Sequence, residues 1–323
     1  MIKNFAYVKA GSIADAIKAL STKGASLHAG GTDLLGCMRD KTMLVEKAVS
    51  ISGIKELKGI APKPDGGLKI GALTTIAEIA ANASVAGKYT VLAQAAAEVA
   101  SPQLRNQGTL GGNLCQRPRC WYYRGDFRCA RKGGDMCYAP GGENQNHAIF
   151  GGGACVFVHP SDTAVALVAL QAQIMIAGPA GTKSVKSENF FVGPDKSITK
   201  ENILAANEIV TEIHLPAISG KVRSSYRKIR ARRAWDFALA SVGVVAQYAN
   251  ENVSAIRIVL GGVAPFPWRV DAAEKLLIGR KIDGALAAAA GQAAIKDASP
   301  LSENGYKVQM VQGAVEESIL ALA

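Results

Sequence analysis

The chain has 323 residues, 49% of them hydrophobic and 20% charged, which is enough for two domains with separate cores. No stretch reaches the roughly 18 consecutive apolar residues of a membrane helix, and Met1 to Ala10 lacks an apolar h-region, so no secretory signal is expected within it. The formal net charge of +11 is concentrated in two runs without a zinc-finger, RRM or helix-turn-helix pattern, which points to an anionic cofactor or an acidic partner face rather than to nucleic acid.

Taken in order, the first third alternates strand and helix signals. Ser12 is placed to cap a helix whose one face is Ile13, Ala16, Ile17 and Leu20, with Asp15 at the capping-box position. Ser26 to Ala29, Ala48 to Ile51 and Leu68 to Ala72 read as strands, and Gly30-Gly31 breaks the first of them. Thr74 or Thr75 starts a helix containing Ile76 and Ile79, and Val91 to Ala100 reads as an alanine-rich helix. Residues 114 to about 156 interrupt this rhythm. They are rich in Arg, Gly, Cys and aromatics, and the pattern predicts an inserted loop organised by ligands rather than by a core.

Regular structure resumes with a helix over Ala164 to Leu170 and strands over Ile174 to Ala177 and Glu208 to Leu215. Pro216 to Gly220 reads as a linker. Beyond it, Ser241 to Tyr248 and Val253 to Leu260 are strands joined by a turn, and Asp271 to Leu277 and Ala285 to Lys296 are helical. The order predicts an α+β chain in two domains, 1–218 with an insertion at about 114–156, and 219–323 with a three-stranded meander sheet and helices on one face.

Two Gly-rich turns suit phosphate. In Ala29-Gly30-Gly31-Thr32-Asp33-Leu34-Leu35 successive glycines let backbone N–H groups converge, Thr32 adds a hydroxyl, and a helix starting at Asp33 would add its positive end. The second turn is Gly108-Thr109-Leu110-Gly111-Gly112-Asn113. Neither fits GxGxxG or the Walker P-loop.

Between the second turn and residue 156 lie four of the six cysteines other than Cys37 and Cys115, namely Cys120, Cys129, Cys137 and Cys155. Their spacing is C-x8-C-x7-C-x17-C, with no CxxC pair of the zinc-ribbon or thioredoxin kind. Thiolates at loose spacing suit a [4Fe–4S] cluster, which needs convergence in space and tolerates long loops; zinc and plain packing stand as alternatives. Arg117, Arg119, Arg124, Arg128, Arg131 and Lys132 would offset a cluster's negative charge. His28, His147, His159 and His214 are scattered and read as structural.

Together the two Gly-rich turns, the Arg105-Asn106-Gln107 that leads into the second, His159-Pro160-Ser161-Asp162, Gly261-Gly262-Val263-Ala264-Pro265 and Pro267-Trp268-Arg269 resemble the FAD-binding medium subunits of molybdenum hydroxylases, the xanthine and carbon monoxide dehydrogenase family, in order and nearly end to end. The inserted segment is similar to that of medium subunits carrying an extra [4Fe–4S] cluster, in aldehyde oxidoreductases and 4-hydroxybenzoyl-CoA reductases. Its Arg-Cys-aromatic-Tyr opening and Cys-x-x-x-His-Pro-Ser-Asp close favour the aldehyde oxidoreductase side.

The resemblance implies a two-part FAD-binding domain of the vanillyl-alcohol-oxidase/PCMH type followed by the family's C-terminal domain. It implies FAD on Ala29, Gly30, Gly31, Thr32, Asp33, Leu34, Arg105, Thr109, Gly111, Gly112, Asn113, Asp162 and Lys228, and a [4Fe–4S] cluster on Cys120, Cys129, Cys137 and Cys155, with Cys115 a bystander. It implies no general acid or base here. It further implies a heterotrimer with a molybdenum-cofactor large subunit and a [2Fe–2S] small subunit, and an external acceptor such as ferredoxin, quinone or oxygen. The location would be cytoplasmic, or periplasmic after export with a partner. The competing readings are a stand-alone flavoprotein with a structural zinc and a basic nucleic-acid-binding scaffold.

Overall fold

Three sheets carry the chain, whose residues 2–323 are described in a computed structural model. Strands β1 (Ala6–Lys9), β2 (Ala25–His28) and β3 (Lys47–Ser50) form a parallel sheet in the order β1-β3-β2. Strands β4 (Ile60–Pro62), β5 (Leu68–Gly71), β6 (Gln173–Gly178), β7 (Gly181–Lys186) and β8 (Ile209–Leu215) form an antiparallel sheet in the order β4-β5-β8-β6-β7. Strands β9 (Lys221–Ile229), β10 (Ala240–Ala249) and β11 (Asn252–Gly261) make the expected meander, extended at its edge by the two-residue β12 (Trp268–Arg269).

Local chemistry sets the helix starts. Ser12 accepts from the Asp15 N–H at 3.1 Å and caps Ile13–Leu20, whose Ala16 and Leu20 are buried. Thr75 and Glu78 form a reciprocal capping box at Ile76–Ala81, with the Thr75 N–H donating to the Glu78 carboxylate at 2.7 Å. The alanine-rich helix stops earlier than its composition suggests, at Thr90–Ala97. Ala100 takes a φ of +46°, and Ser101 caps a new helix, Pro102–Gln107, with proline in its first turn.

The helix Asp162–Ala169 is buried along its whole length. It lies under the C-terminal sheet so closely that a Cβ on Gly261 would sit 2.5 Å from Val165 Cγ2. Helices Asp271–Leu277, Gly284–Ala294 and Tyr306–Leu320 share a core with the inward faces of β10 and β11.

The inserted segment departs from expectation. It holds only the short helix Trp121–Arg124 and one 3-10 turn, but it has its own small core of Tyr122, Ala139 and Val156. It is also clamped from the C-terminal domain. Asn304 donates to the carbonyls of His147 and Ala148 at 3.1 and 3.2 Å, and Tyr306 to that of Gln145 at 2.9 Å. The segment is therefore held by side-chain hydrogen bonds from residues 302–306, not by ligands alone.

Candidate functional site

The two Gly-rich turns touch. A Cβ on Gly30 would lie 1.9 Å from the Gln107 carbonyl oxygen, and Gly31 has a φ of +74°, so only glycines allow this approach. The second turn is pinned from behind. Ile76 N–H donates to the Gly108 carbonyl and Leu110 N–H to the Thr74 carbonyl, each at 2.9 Å. Thr109 caps the short helix Leu110–Leu114, accepting from Gly112 N–H at 3.2 Å.

On either side of this contact a cavity opens. One, of about 500 Å³, reaches past Asn113 to Asp162, Lys228 and the aromatic pair Trp235 and Phe237. The other, of about 350 Å³, runs along Ala29, Gly30, Gly31, Leu34 and Gly111. Thr32, Asp33, Thr109, Gly112 and Gln116 line both. The result is an elongated cleft with backbone N–H groups and hydroxyls at its waist and a mixed aromatic and charged pocket at one end.

Several side chains singled out from the sequence turn out to build this cleft through other contacts. The Asp33 carboxylate, although Asp33 lines both cavities, is engaged by the insertion. It meets Arg124 at 2.7 Å and Arg119 at 3.0 Å and accepts from Arg117 N–H at 2.7 Å. It therefore makes no side-chain cap for the helix Leu34–Arg39. Asn113 Oδ1 accepts from Ser161 and Thr163 hydroxyls at 2.6 and 2.7 Å and so ties the second turn to helix Asp162–Ala169. Ser161, not Asp162, caps that helix, through the Ala164 N–H at 3.0 Å. Arg105 lines neither cavity; it donates to the Val99 carbonyl at 2.8 Å and so braces the wall that Val99 and Ala100 form.

Asp162 and Lys228 form a buried ion pair at 2.8 Å, with side chains 6% and 1% exposed. Tyr226 donates to the other carboxylate oxygen at 2.6 Å, and Lys228 also donates to the Glu98 carbonyl at 3.0 Å. Burial pushes the Asp162 carboxyl up, opposed by the Lys228 ammonium, and burial with the neighbouring Asp162 raises the Tyr226 phenol well above its usual range. Of the second basic run (Lys221, Arg223, Arg227, Lys228, Arg230, Arg232 and Arg233), Lys221, Arg223 and Arg227 lie on the outward face of β9, whereas Lys228 and Arg232 line the cleft.

The four cysteines of the insertion are free thiols. Cys137 and Cys155 share a hydrogen bond that draws the Cys137 thiol down to about 6 and pushes the Cys155 thiol up. Burial lifts Cys120 to about 11, and Cys137 and Cys129 lie near enough to add to this electrostatically. Cys120 Sγ is 3.2 Å from His147 Nε2, a contact that the scattered placement of histidines in the sequence gave no hint of. Among the described residues, no group of three or more His, Cys, Asp or Glu is arranged to hold a single metal ion. Cys115, at the start of the insertion, lines the second cavity and burial pushes it up to about 12, and Cys37 is buried on helix Leu34–Arg39.

Arginines wrap the cysteines and bind them to the rest of the chain. Arg117 and Arg131 both reach the Glu201 carboxylate, the former at 2.5 Å, and Arg131 is 1% exposed. Its guanidinium stacks 4.3 Å over the Phe157 ring. Four buried nitrogens here have no hydrogen-bond partner: Arg119 Nε, Trp121 Nε1, Arg131 Nε and His147 Nδ1. A third cavity, of about 150 Å³, is lined by Cys120 and His147 and shares Arg119, Pro160, Asp162, Asp236 and Phe237 with the cleft.

Comparison with known proteins decides the family. Residues 3–218 match the FAD binding domain in molybdopterin dehydrogenase, and residues 224–322 match the CO dehydrogenase flavoprotein C-terminal domain. The chain belongs to the FAD-binding medium-subunit family of the molybdenum hydroxylases. Among curated relatives of this family, the aldehyde oxidoreductase FAD-binding subunit PaoB of Escherichia coli (strain K12) is 35% identical over 332 residues, covering 100% of this chain and 99% of the relative. The carbon monoxide dehydrogenase medium chain of Hydrogenophaga pseudoflava is 28% identical, covering 98% and 96%. A chain in the structure of the Hydrogenophaga pseudoflava carbon monoxide dehydrogenase that lacks the Mo-pyranopterin moiety superposes with a TM-score of 0.80 at 28% identity, covering 99% of this chain and 98% of that one.

The family match makes the chain an FAD-binding oxidoreductase subunit, and the cleft is its candidate FAD site. Its length and two-chambered form suit a dinucleotide, with room at one end for a flat ring system against Trp235 and Phe237. Those two aromatics, Gln116 and Ile76 are lining residues that the sequence reading missed. Trp235 and Phe237 carried a signal, as aromatics directly after Arg230, Arg232 and Arg233. No helix among the described residues is long and apolar enough to cross a membrane.

Proposed function

We propose that this chain is the electron-transfer subunit of a molybdenum-dependent aldehyde oxidoreductase, with FAD in the cleft and a [4Fe–4S] cluster on Cys120, Cys129, Cys137 and Cys155. A large molybdenum-cofactor subunit would oxidise the aldehyde, a small [2Fe–2S] subunit would deliver the electrons, and an external acceptor would take them from the flavin. The two domains would be 1–218 and 219–323. The substrate class rests on the 35% identity to an aldehyde oxidoreductase subunit.

The cysteine chemistry fits the cluster. Four thiols occur in one segment, and four neighbouring nitrogens lack acceptors that thiolates and inorganic sulfides would supply. Bound FAD and the cluster supply the redox chemistry; the protein positions them and tunes their potentials. Arg119 does both, lining the flavin cleft and standing next to Cys120 in the chain.

The observation that carries the proposal is the wall shared by the two sites. Cys120 lines a cavity of about 150 Å³ that shares Arg119, Pro160, Asp162, Asp236 and Phe237 with the cleft. Such proximity suits one-electron exchange between cluster and flavin. The test is EPR of the reduced protein. The wild type should give the signal of a reduced [4Fe–4S] cluster, and Cys129→Ser should lose it while keeping its flavin. A wild-type protein with flavin and no such signal would overturn the cluster assignment.

A further inference from the structure

Lys307 is wholly buried, at 0% exposure, in the first turn of helix Tyr306–Leu320. Its ammonium group has one acceptor, the Gly262 carbonyl oxygen at 2.9 Å. It makes no ion pair among the described residues, and burial alone lowers it, to about 7. A cation at the positive end of a helix is also disfavoured by the dipole. A buried charge without a partner costs several kcal/mol, so the site favours the neutral amine until an anion stands near it.

Its surroundings point in one direction. Gly262, which holds the ammonium, lines the same cavity as Cys120 and His147. His147, on the same cavity, lies 3.2 Å from Cys120. Residues just before Lys307 clamp the same stretch, through Asn304 to the His147 and Ala148 carbonyls. The C-terminal domain therefore delivers a cation to the edge of the cysteine segment, where the sequence holds no lysine or arginine of its own between Lys132 and Lys183.

We propose that Lys307 is the buried electrostatic partner of the cysteine-held cluster, a positioning residue that keeps its reduction potential high. This rests on the cluster assignment above. A cluster on four thiolates is anionic and gains a further negative charge when reduced, so a fixed cation nearby favours the reduced form. For scale, two unit charges on the order of 10 Å apart at an effective dielectric of about 20 shift such an equilibrium on the order of tenfold.

The experiment is an EPR-monitored redox titration of the whole complex carrying Lys307→Met or Lys307→Arg. Lys307→Met should lower the cluster midpoint by on the order of 59 mV, the one-electron equivalent of tenfold, and Lys307→Arg should hold it near the wild-type value. Unchanged potential in Lys307→Met with its iron intact overturns the proposal. Loss of iron from Lys307→Met with retention in Lys307→Arg supports it, because charge is then what matters; loss from both overturns it, because packing is. Thermal melts of the iron-free full chain add a second reading: Lys307→Met should melt higher than wild type, since it removes an unpartnered buried charge, and a lower melt contradicts that premise. Wild-type protein without iron refutes the cluster assignment instead, and is told apart from these results by elemental analysis.

Discussion

Asn144 and Glu303 hold each other reciprocally across the two domains: the Asn144 N–H donates to the Glu303 carboxylate at 2.7 Å, and the Glu303 N–H returns a bond to Asn144 Oδ1 at 2.9 Å. Asn144 is completely buried, and its Nδ2 also donates to Ala139, Gly142 and Ser302. One side chain thus closes the inserted segment on itself and fastens it to the C-terminal domain. Asn144→Ala leaves several buried groups unsatisfied, at about 1–3 kcal/mol each. It should make the segment 139–149 sensitive to protease and lower iron occupancy while flavin content stays near normal. Equal loss of both cofactors would show that the clamp serves the whole fold.

The Asp162–Lys228 pair governs the inner end of the cleft. Lys228→Met leaves a buried carboxylate uncompensated, a change that typically costs about 3–5 kcal/mol. We expect a large fall in thermal stability and loss of FAD, measured by differential scanning calorimetry and extracted flavin. The paired change Asp162→Asn with Lys228→Met should recover most of the stability without recovering flavin. Recovery of both would remove the pair from cofactor binding.

Gly30 tests the contact between the two Gly-rich turns. In Gly30→Ala the new methyl meets the Gln107 carbonyl at 1.9 Å, so the turns must separate. Overpacking of this kind costs about 1–3 kcal/mol, and the cleft's waist widens with it. Flavin affinity should drop by tenfold or more in a fluorescence titration, whereas Arg105→Ala, outside both cavities, should alter it less. The reverse ranking would argue against phosphate binding at this waist.

His159 predicts a pH dependence. It is buried, and burial lowers it to about 4 against about 6.5 when unfolded. The unfolded chain therefore binds the extra proton first. The stability associated with neutral His159 is full above pH 6.5 and is lost as pH falls toward 4, amounting to about 3 kcal/mol. Urea unfolding between pH 7 and 4.5 should show this slope, and His159→Phe should flatten it. An equal slope in the variant would assign the effect to other groups.

Much of this was legible in the sequence because it is local. Ser12, Thr75 and the Gly-Gly turns announce themselves by residue type and spacing. β9 was hidden by its lysines and arginines, which mask the alternation of a strand with one wet face. The helix Tyr306–Leu320 was hidden by a weakly apolar, glycine-containing sequence that only the C-terminal core makes helical. Asp33 reads as a phosphate-loop residue, yet three arginines arriving from 84 to 91 positions away claim its carboxylate. Sequence separations of 27 and 45 likewise concealed the approach of His147 to Cys120 and of Lys307 to Gly262 beside them, since no local pattern encodes such contacts.

The central claim, that one chain holds a flavin and a thiolate-bound iron cluster side by side, is tested most directly by cofactor content of protein purified without air. We expect about one FAD and about four iron atoms per chain, with negligible zinc. Flavin together with zinc, or flavin with no metal, would contradict the cluster while leaving the FAD site in place.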